Sequence, residues 1–261
     1  MPTKSFKLLY LLLLFPLMAF SPGAALPDFR LKTIVLDAGH GGKDPGTHGK
    51  KAREKEVALA VVLKLGKLLK EKFPELKILY TRKSDEFIEL HERAAIANRN
   101  KADLFISIHC NSGPSHACGS ETYAMGLHTS NGNLNVAKRE NAVVLKEDNY
   151  LKKYGGFDPS SPIAHIFFAN MQNAYLDRSL SLAQKIENHF EDLDGKKSRG
   201  VKQAGFLVLW RTAMPAVLIE LGYLSNSREE KNLASKEGQE KLAKSILKAI
   251  SKYKAESESG T

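Results

Sequence analysis

Cysteine occurs only twice in 261 residues, at Cys110 and Cys118. Neither lies near the apolar N-terminus, which excludes lipid attachment there. No internal repeat and no linker rich in Pro, Gly or Ser divides the chain, so one domain with an ordinary core is expected. Beyond the N-terminus no apolar run is long enough to cross a membrane. Lys and Arg outnumber Asp and Glu by 39 to 29, a formal charge of +10. They are spread along the chain without interleaved aromatics, which excludes the stacking platform of a single-strand nucleic-acid binder. The glycine-rich stretch "VLDAGHGGKDPGTHG" (35–49) lacks the Lys and Ser/Thr that a Walker loop needs after Gly46. It also has Asp44 where the dinucleotide fingerprint needs its third glycine. These glycines serve something other than a phosphate.

The first 25 residues have the form of a secretory signal peptide. Lys4 and Lys7 precede the short run "LLYLLLLFPLMAF", broken by Pro16, and the small residues of "SPGAALP" follow. Export is the expectation, and with it no membrane association after cleavage near Ala24 to Leu26. Such export permits a Cys110–Cys118 disulfide, although Cys110 directly follows an apolar run and suits burial. A basic exported protein accumulates near polyanions such as a cell wall or acidic lipid head groups. Residues 255–261 are expected to form a disordered tail.

Between these ends, from about residue 30 to 254, short apolar runs alternate with helical patterns. "TIVLD", "LKILYTR", "LFISIH", "SETYAMG", "FLVL" (206–209) and "AVLIEL" are predicted strands. The stretch 54–73 places Val57, Val61, Leu65, Leu68 and Leu69 on one helical face. Further helices are predicted over 87–100, in the long polar stretch of about 127–175 and beyond it, and near the C-terminus. The pattern gives a single α/β domain, with helices on both faces of the sheet and a largely helical insertion.

Three predicted strands end in a group able to bind metal or move protons: His40 after "TIVLD", His109 in "LFISIH" and Glu220 in "AVLIE". In a mostly parallel sheet those ends share the edge where such folds bind ligands. The helix that follows the first strand begins there too, with Glu54. Two histidines and one carboxylate form a catalytic zinc set when a fourth position stays open. We therefore assign His40, Glu54 and His109 as metal ligands and Glu220 as the acid/base. Zn²⁺ in such a site activates water and polarises a carbonyl. Asp37 could orient a ligand imidazole, or equally serve a cap or turn. His48, His91, His116, His128, His165 and His189 lack such placement and are read as solvated or capping groups. A Cys110–His109 pair is disfavoured, since strand neighbours point to opposite faces.

At these residues the sequence resembles the zinc-dependent N-acetylmuramoyl-L-alanine amidases, the family called amidase 3. The matching segments are "IVLDAGHGGKDPG", "REKEVALAVVLKL", "TRKSDEFIELHERAAIAN", "FISIHCNS" and "MPAVLIELGYLSN", in the family's order. The resemblance implies a mixed, mostly parallel sheet of about six strands flanked by helices. It also implies hydrolysis of the amide between N-acetylmuramic acid and L-Ala of peptidoglycan, with the same ligands and the same catalytic Glu220. Arg82, Arg93 and Asn98 match family positions; structural roles are expected for Arg93 and Asn98, and a substrate-facing one for Arg82. The insertion resembles that of Gram-negative cell-division amidases, where a helix covers the zinc until an activator protein removes it. Glu140 and Glu147 are its candidate blockers. Two alternatives stay open. One is a zinc carboxypeptidase gripping a terminal carboxylate with Arg82 or Arg211, the other a wall-binding protein with a decayed site.

Overall fold

The computed structural model describes residues 30–128, 130–169, 175–193 and 196–259. The expected signal peptide lies outside the described residues. Strands β1 (Thr33–Ala38), β2 (Lys77–Tyr80), β3 (Leu104–Asn111), β4 (Ser120–Met125), β5 (Ser198–Ala204) and β6 (Ala216–Tyr223) form one sheet, in the order β2-β1-β3-β6-β4-β5. Neighbours are parallel except β4 against β6. The helices in chain order are α1 (Glu54–Lys72), α2 (Leu90–Arg99), α3 (Asn131–Asn141), α4 (Tyr150–Lys153), α5 (Pro162–Ala169), α6 (Leu176–Glu191), α7 (Leu207–Trp210), α8 (Ser227–Leu233) and α9 (Lys236–Ser259). A 3-10 turn, Ala142–Lys146, follows α3. This is the expected mixed α/β sheet with a largely helical insertion. Among the described residues no helix is long and apolar enough to cross a membrane.

Strand alternation splits the core into two layers. Ile34, Leu36, Ile106, Ile108, Val217 and Ile219 pack with α1, α6 and α9. Val35, Phe105, Tyr123 and Leu218 pack on the other face with α2, α7 and the insertion. On α1 the predicted face is buried at Val57, Val61, Leu65 and Leu69, with Leu68 partly covered. Cys110 lies in the first layer and both cysteines are free thiols.

Two expectations are corrected. Residues 206–209 are not a strand: Phe206 leads into the helical turn α7, whose Leu207, Val208 and Leu209 are all buried. Periodicity cannot separate a short apolar strand from a buried helical turn. The strand nearby is β5, "SRGVKQA", a half-exposed edge strand whose polar sequence carries no alternation. The tail does not fray at 255, because α9 runs to Ser259. Lys254 pairs with Glu258 one turn on, and Glu258 accepts a hydrogen bond from Leu31 N at 3.0 Å.

One buried ion pair fixes the edge that matters. Asp37, at the end of β1, is fully buried and accepts from Thr81 Oγ1 and Ser107 Oγ, each at 2.6 Å, and from Arg93 Nη1 at 2.8 Å. Burial pushes its pKa up, but Arg93 and the two hydroxyls outweigh this and hold it below the usual carboxylate range. Arg93 also donates to the carbonyls of Ile88, Ala38 and His40. The pair thereby ties α2 and β3 to the turn after β1. Asp37→Asn leaves that guanidinium without its counter-charge and should lower stability by about 3–5 kcal/mol. Thermal denaturation should read this as a drop in Tm on the order of 10 °C. Asp37 stabilises the fold above its unfolded pKa, near 4, and this contribution fades as pH falls through the lower folded value. The gap between variant and wild type should therefore narrow in acid.

Candidate active site

The C-terminal ends of the central strands deliver the predicted groups to one edge. His109 and Glu220 are register partners on parallel β3 and β6, on the sheet face that carries Phe105 and Leu218. β1 leads through Gly39 to His40, and Glu54 opens α1 beside it. Glu54 Oε1 lies 3.1 Å from His40 Nε2 and 2.9 Å from His109 Nδ1. It is held there by hydrogen bonds from Cys110 N to Oε1 at 2.9 Å and from Thr47 N to Oε2 at 2.8 Å. The glycines make room for these rings. A Cβ on Gly39 would meet the His109 ring at 2.5–2.7 Å, and one on Gly46 would lie 2.5 Å from the His40 ring and 2.6 Å from Glu54. His40 itself has φ +59°, a left-handed conformation uncommon for a residue with a side chain.

The residue that orients His40 is Asp44, which the sequence reading passed over. Its Oδ2 lies 2.6 Å from His40 Nδ1, leaving Nε2 to face the centre. The turn closed by Gly41 and Asp44 brings two positions four apart in sequence side by side, and the Gly41-Gly42 pair within it was the available signal. Asp37 does not touch an imidazole, because Arg93, Thr81 and Ser107 claim its oxygens. Arg82 does not face a substrate either. It is buried and donates to the carbonyls of Ala38, Gly39, Lys55 and Ser84 at 2.7–3.0 Å, which pins the His40 loop to α1. Asn98 bridges Arg211 O and Ala213 N. Arg93 and Asn98 thus both hold backbone.

The insertion reaches into this centre. Glu140, near the end of α3, places Oε2 3.1 Å from both His40 Nε2 and His109 Nδ1. Arg139 donates to Glu140 at 2.8 Å and to Glu220 Oε1 at 3.1 Å. Lys146 reaches Asp44 at 2.7 Å. Glu147 is not at the centre. The 3-10 turn carries it to the start of α2, where it accepts from Leu90 N at 2.7 Å and Tyr154 Oη at 2.8 Å, next to Glu89 and His91. The space left beside His40, His109 and Glu140 is a cavity of about 10 Å³, at the threshold for one water.

Electrostatics makes the cluster call for a cation. Burial lowers the pKa of both imidazoles, yet the carboxylates around them win. His40 is raised well above its usual value by Glu54, Asp44 and Glu140, and His109 to about 9 by Glu140 and Glu54. Glu220 is pushed up to about 8, first by burial and then by the like charges of Glu140 and Glu54, against the pull of Arg139 and His109. One donor atom each from His40, Glu54, His109 and Glu140 lies within 4.8 Å of the others. His40 Nε2 and Glu140 Oε2 are buried and lack a hydrogen-bond partner among the described residues. Two imidazole nitrogens and two carboxylate oxygens converging on one point fit a four-coordinate, borderline-soft divalent ion.

The family model for N-acetylmuramoyl-L-alanine amidase, amidase 3, matches residues 34–252. The chain belongs to this amidase family. Members of the family act on peptidoglycan as hydrolases. The N-acetylmuramoyl-L-alanine amidase AmiC of Escherichia coli is 35% identical over 241 residues; the match covers 90% of this chain and 55% of that protein, so the chain spans about half the length of that relative. The catalytic domain of the amidase CwlV from Bacillus (Paenibacillus) polymyxa is similar at 32% identity and a TM-score of 0.59, covering 85% of this chain and 97% of that one. The CwlD amidase of Clostridioides difficile, solved in complex with the GerS lipoprotein, is 26% identical with a TM-score of 0.62, over 85% of this chain and 98% of that one.

Asp44→Ala frees the His40 ring and should weaken metal binding by about 10- to 100-fold, read by competition with a chromophoric chelator. Arg82→Lys, which does not touch the donors, should shift thermal stability more than metal affinity.

Proposed function

We propose that the chain is an exported zinc-dependent amidase that cuts the bond between N-acetylmuramic acid and L-alanine in peptidoglycan, and that its own insertion holds it shut. The observation that carries this is the meeting of His40, Glu54 and His109 at one buried point, with Glu220 one strand away. Those three side chains would hold the ion. When bound, Zn²⁺ supplies an activated water and polarises the scissile carbonyl. Glu220 moves the proton, taking it from the attacking water and returning it to the leaving amine. A buried carboxyl placed one strand from His109 suits both halves of that task. Asp44 keeps the His40 proton on Nδ1 and Nε2 free. The carboxypeptidase alternative is weakened because Arg82 is spent on backbone carbonyls, and Arg211 lies over the Trp210 ring and donates to Lys153 O at 3.3 Å. A decayed binder would have no reason to bury four oriented donors.

Glu140 occupies the position where substrate would approach, and a cavity of about 10 Å³ admits no glycopeptide. The insertion is anchored by Glu140 on the imidazoles, Arg139 on Glu220, Lys146 on Asp44, Glu147 on α2 and Asn141 on Gly205 O and Leu207 N. Its outer side carries Leu145, Leu151 and Ile163, which are 58%, 55% and 77% exposed. Apolar side chains this open suit a protein partner, and one relative is solved with a lipoprotein partner. An activator that grips this surface and lifts α3 would switch on wall remodelling and daughter-cell separation.

Turnover of labelled peptidoglycan tests both parts. Glu220→Gln should retain its metal yet lose about 10²–10⁴-fold in rate, and chelation should abolish turnover by the wild type. A Glu220→Gln protein as active as wild type would remove the catalytic assignment. Glu140→Ala should raise turnover about tenfold by releasing the closed state. Glu147→Ala, which loosens the anchor at α2, should raise it less. No gain in either variant would sink the lid but leave the amidase.

A further inference from the structure

Away from the active site, a second cluster of described residues gathers metal-binding groups. Glu89, His91 and Glu147 each offer a donor atom, all within 4.8 Å of one another. His91, which the sequence offered only as a solvated or capping group, turns its Nδ1 inward. That atom is buried and has no hydrogen-bond partner among the described residues, while Glu89 Oε2 lies 3.3 Å and Glu147 Oε2 3.7 Å from it. Donors bound at about 2.0–2.2 Å to one tetrahedral ion lie about 3.3–3.6 Å apart, which these spacings match. The Glu147 carboxylate is already aimed. Leu90 N holds Oε1 at 2.7 Å, and Tyr154 Oη, which accepts from His91 N at 2.9 Å, donates to Oε2 at 2.8 Å. Hydrogen bonds of this kind orient ligating carboxylates. Burial, joined by the like charge of Glu89, pushes the Glu147 pKa up against the pull of Leu90 N, Tyr154 and His91. The cation that faces the pair is Lys153, whose Nζ lies 2.5 Å from Glu89 Oε2.

We propose that Glu89, His91 and Glu147 bind a second divalent cation, Zn²⁺ or an ion of like preference, and that this ion clamps the insertion to α2. One imidazole and two carboxylates suit a borderline ion and leave a position for water. Glu89 and His91 are 28% and 29% exposed, so a hydrated ion can reach them. The three donors come from two elements. Glu147 ends the 3-10 turn that follows α3, whereas Glu89 precedes α2 and His91 lies in its first turn. An ion held by all three therefore opposes the lifting of Glu140 from the imidazoles. It displaces the Lys153 ammonium from Glu89. The clamp rests on the reading of the insertion as a lid; the ion site does not.

Equilibrium dialysis of the whole protein against Zn²⁺, followed by elemental analysis, tests the site. Wild type should hold two ions per chain and His91→Ala one. Lys153→Met should tighten the second ion by about two- to fivefold, the strength of the partly exposed ion pair it removes. One ion in wild type, two in His91→Ala, or no tightening in Lys153→Met would overturn the site. Limited proteolysis of the insertion tests the clamp, and filling the second site should slow cleavage in wild type but not in His91→Ala. In Glu140→Ala the same filling should lower peptidoglycan turnover by at least about twofold, and adding His91→Ala should abolish that inhibition. Two ions bound with cleavage and turnover unchanged would overturn the clamp. A protein with no turnover under any condition would lose the amidase reading, while ion count and proteolysis still decide the site and the clamp.

Discussion

Two imidazoles and two carboxylates buried against one another at a sheet edge require a shared positive charge, and much of the structure exists to hold them in place. Charged groups out of water are costly unless paired. Here the pairing is dense: Glu54 bonds two backbone amides, Asp44 holds the far nitrogen of His40, and Arg139 joins Glu140 to Glu220. With protonated imidazoles the cluster approaches balance. A divalent ion balances it more directly and explains why His40 Nε2 and Glu140 Oε2 converge without a hydrogen bond between them.

Around this centre the scaffold is made of groups that look functional but hold backbone. Asp37 and Arg93 are both buried and charged, and both serve to fix the turn after β1. Arg82 does the same from the other side, so three strongly polar residues stabilise a loop whose left-handed His40 would otherwise be free to relax. The glycines complete the arrangement by subtraction, since side chains at Gly39 or Gly46 would collide with the rings they border.

The insertion meets the same electrostatic demand from outside. Glu140 supplies a fourth oxygen at the imidazoles, while the adjacent Arg139 neutralises the carboxyl that would move the proton. One turn of α3 thus addresses both halves of the chemistry. The insertion is held by polar anchors to Asp44 and α2 and by Val136, Ala137, Val143 and Val144, which pack into the core layer under the sheet.

The sequence by itself determined the α/β class, the strands that bring His40, His109 and Glu220 to one edge, the start of α1 at Glu54 and the buried face of that helix. Each of these follows from local periodicity joined to one topological rule, that parallel strands end at a common edge. It could not reveal Asp44 as the partner of His40, Asp37 and Arg82 as scaffold, Glu147 as an anchor on α2, β5 as a strand or Phe206–Leu209 as a helical turn. Those depend on which way a side chain points after a turn and on which neighbours reach it first. Such competition for a limited set of partners is decided only when distant segments are folded together.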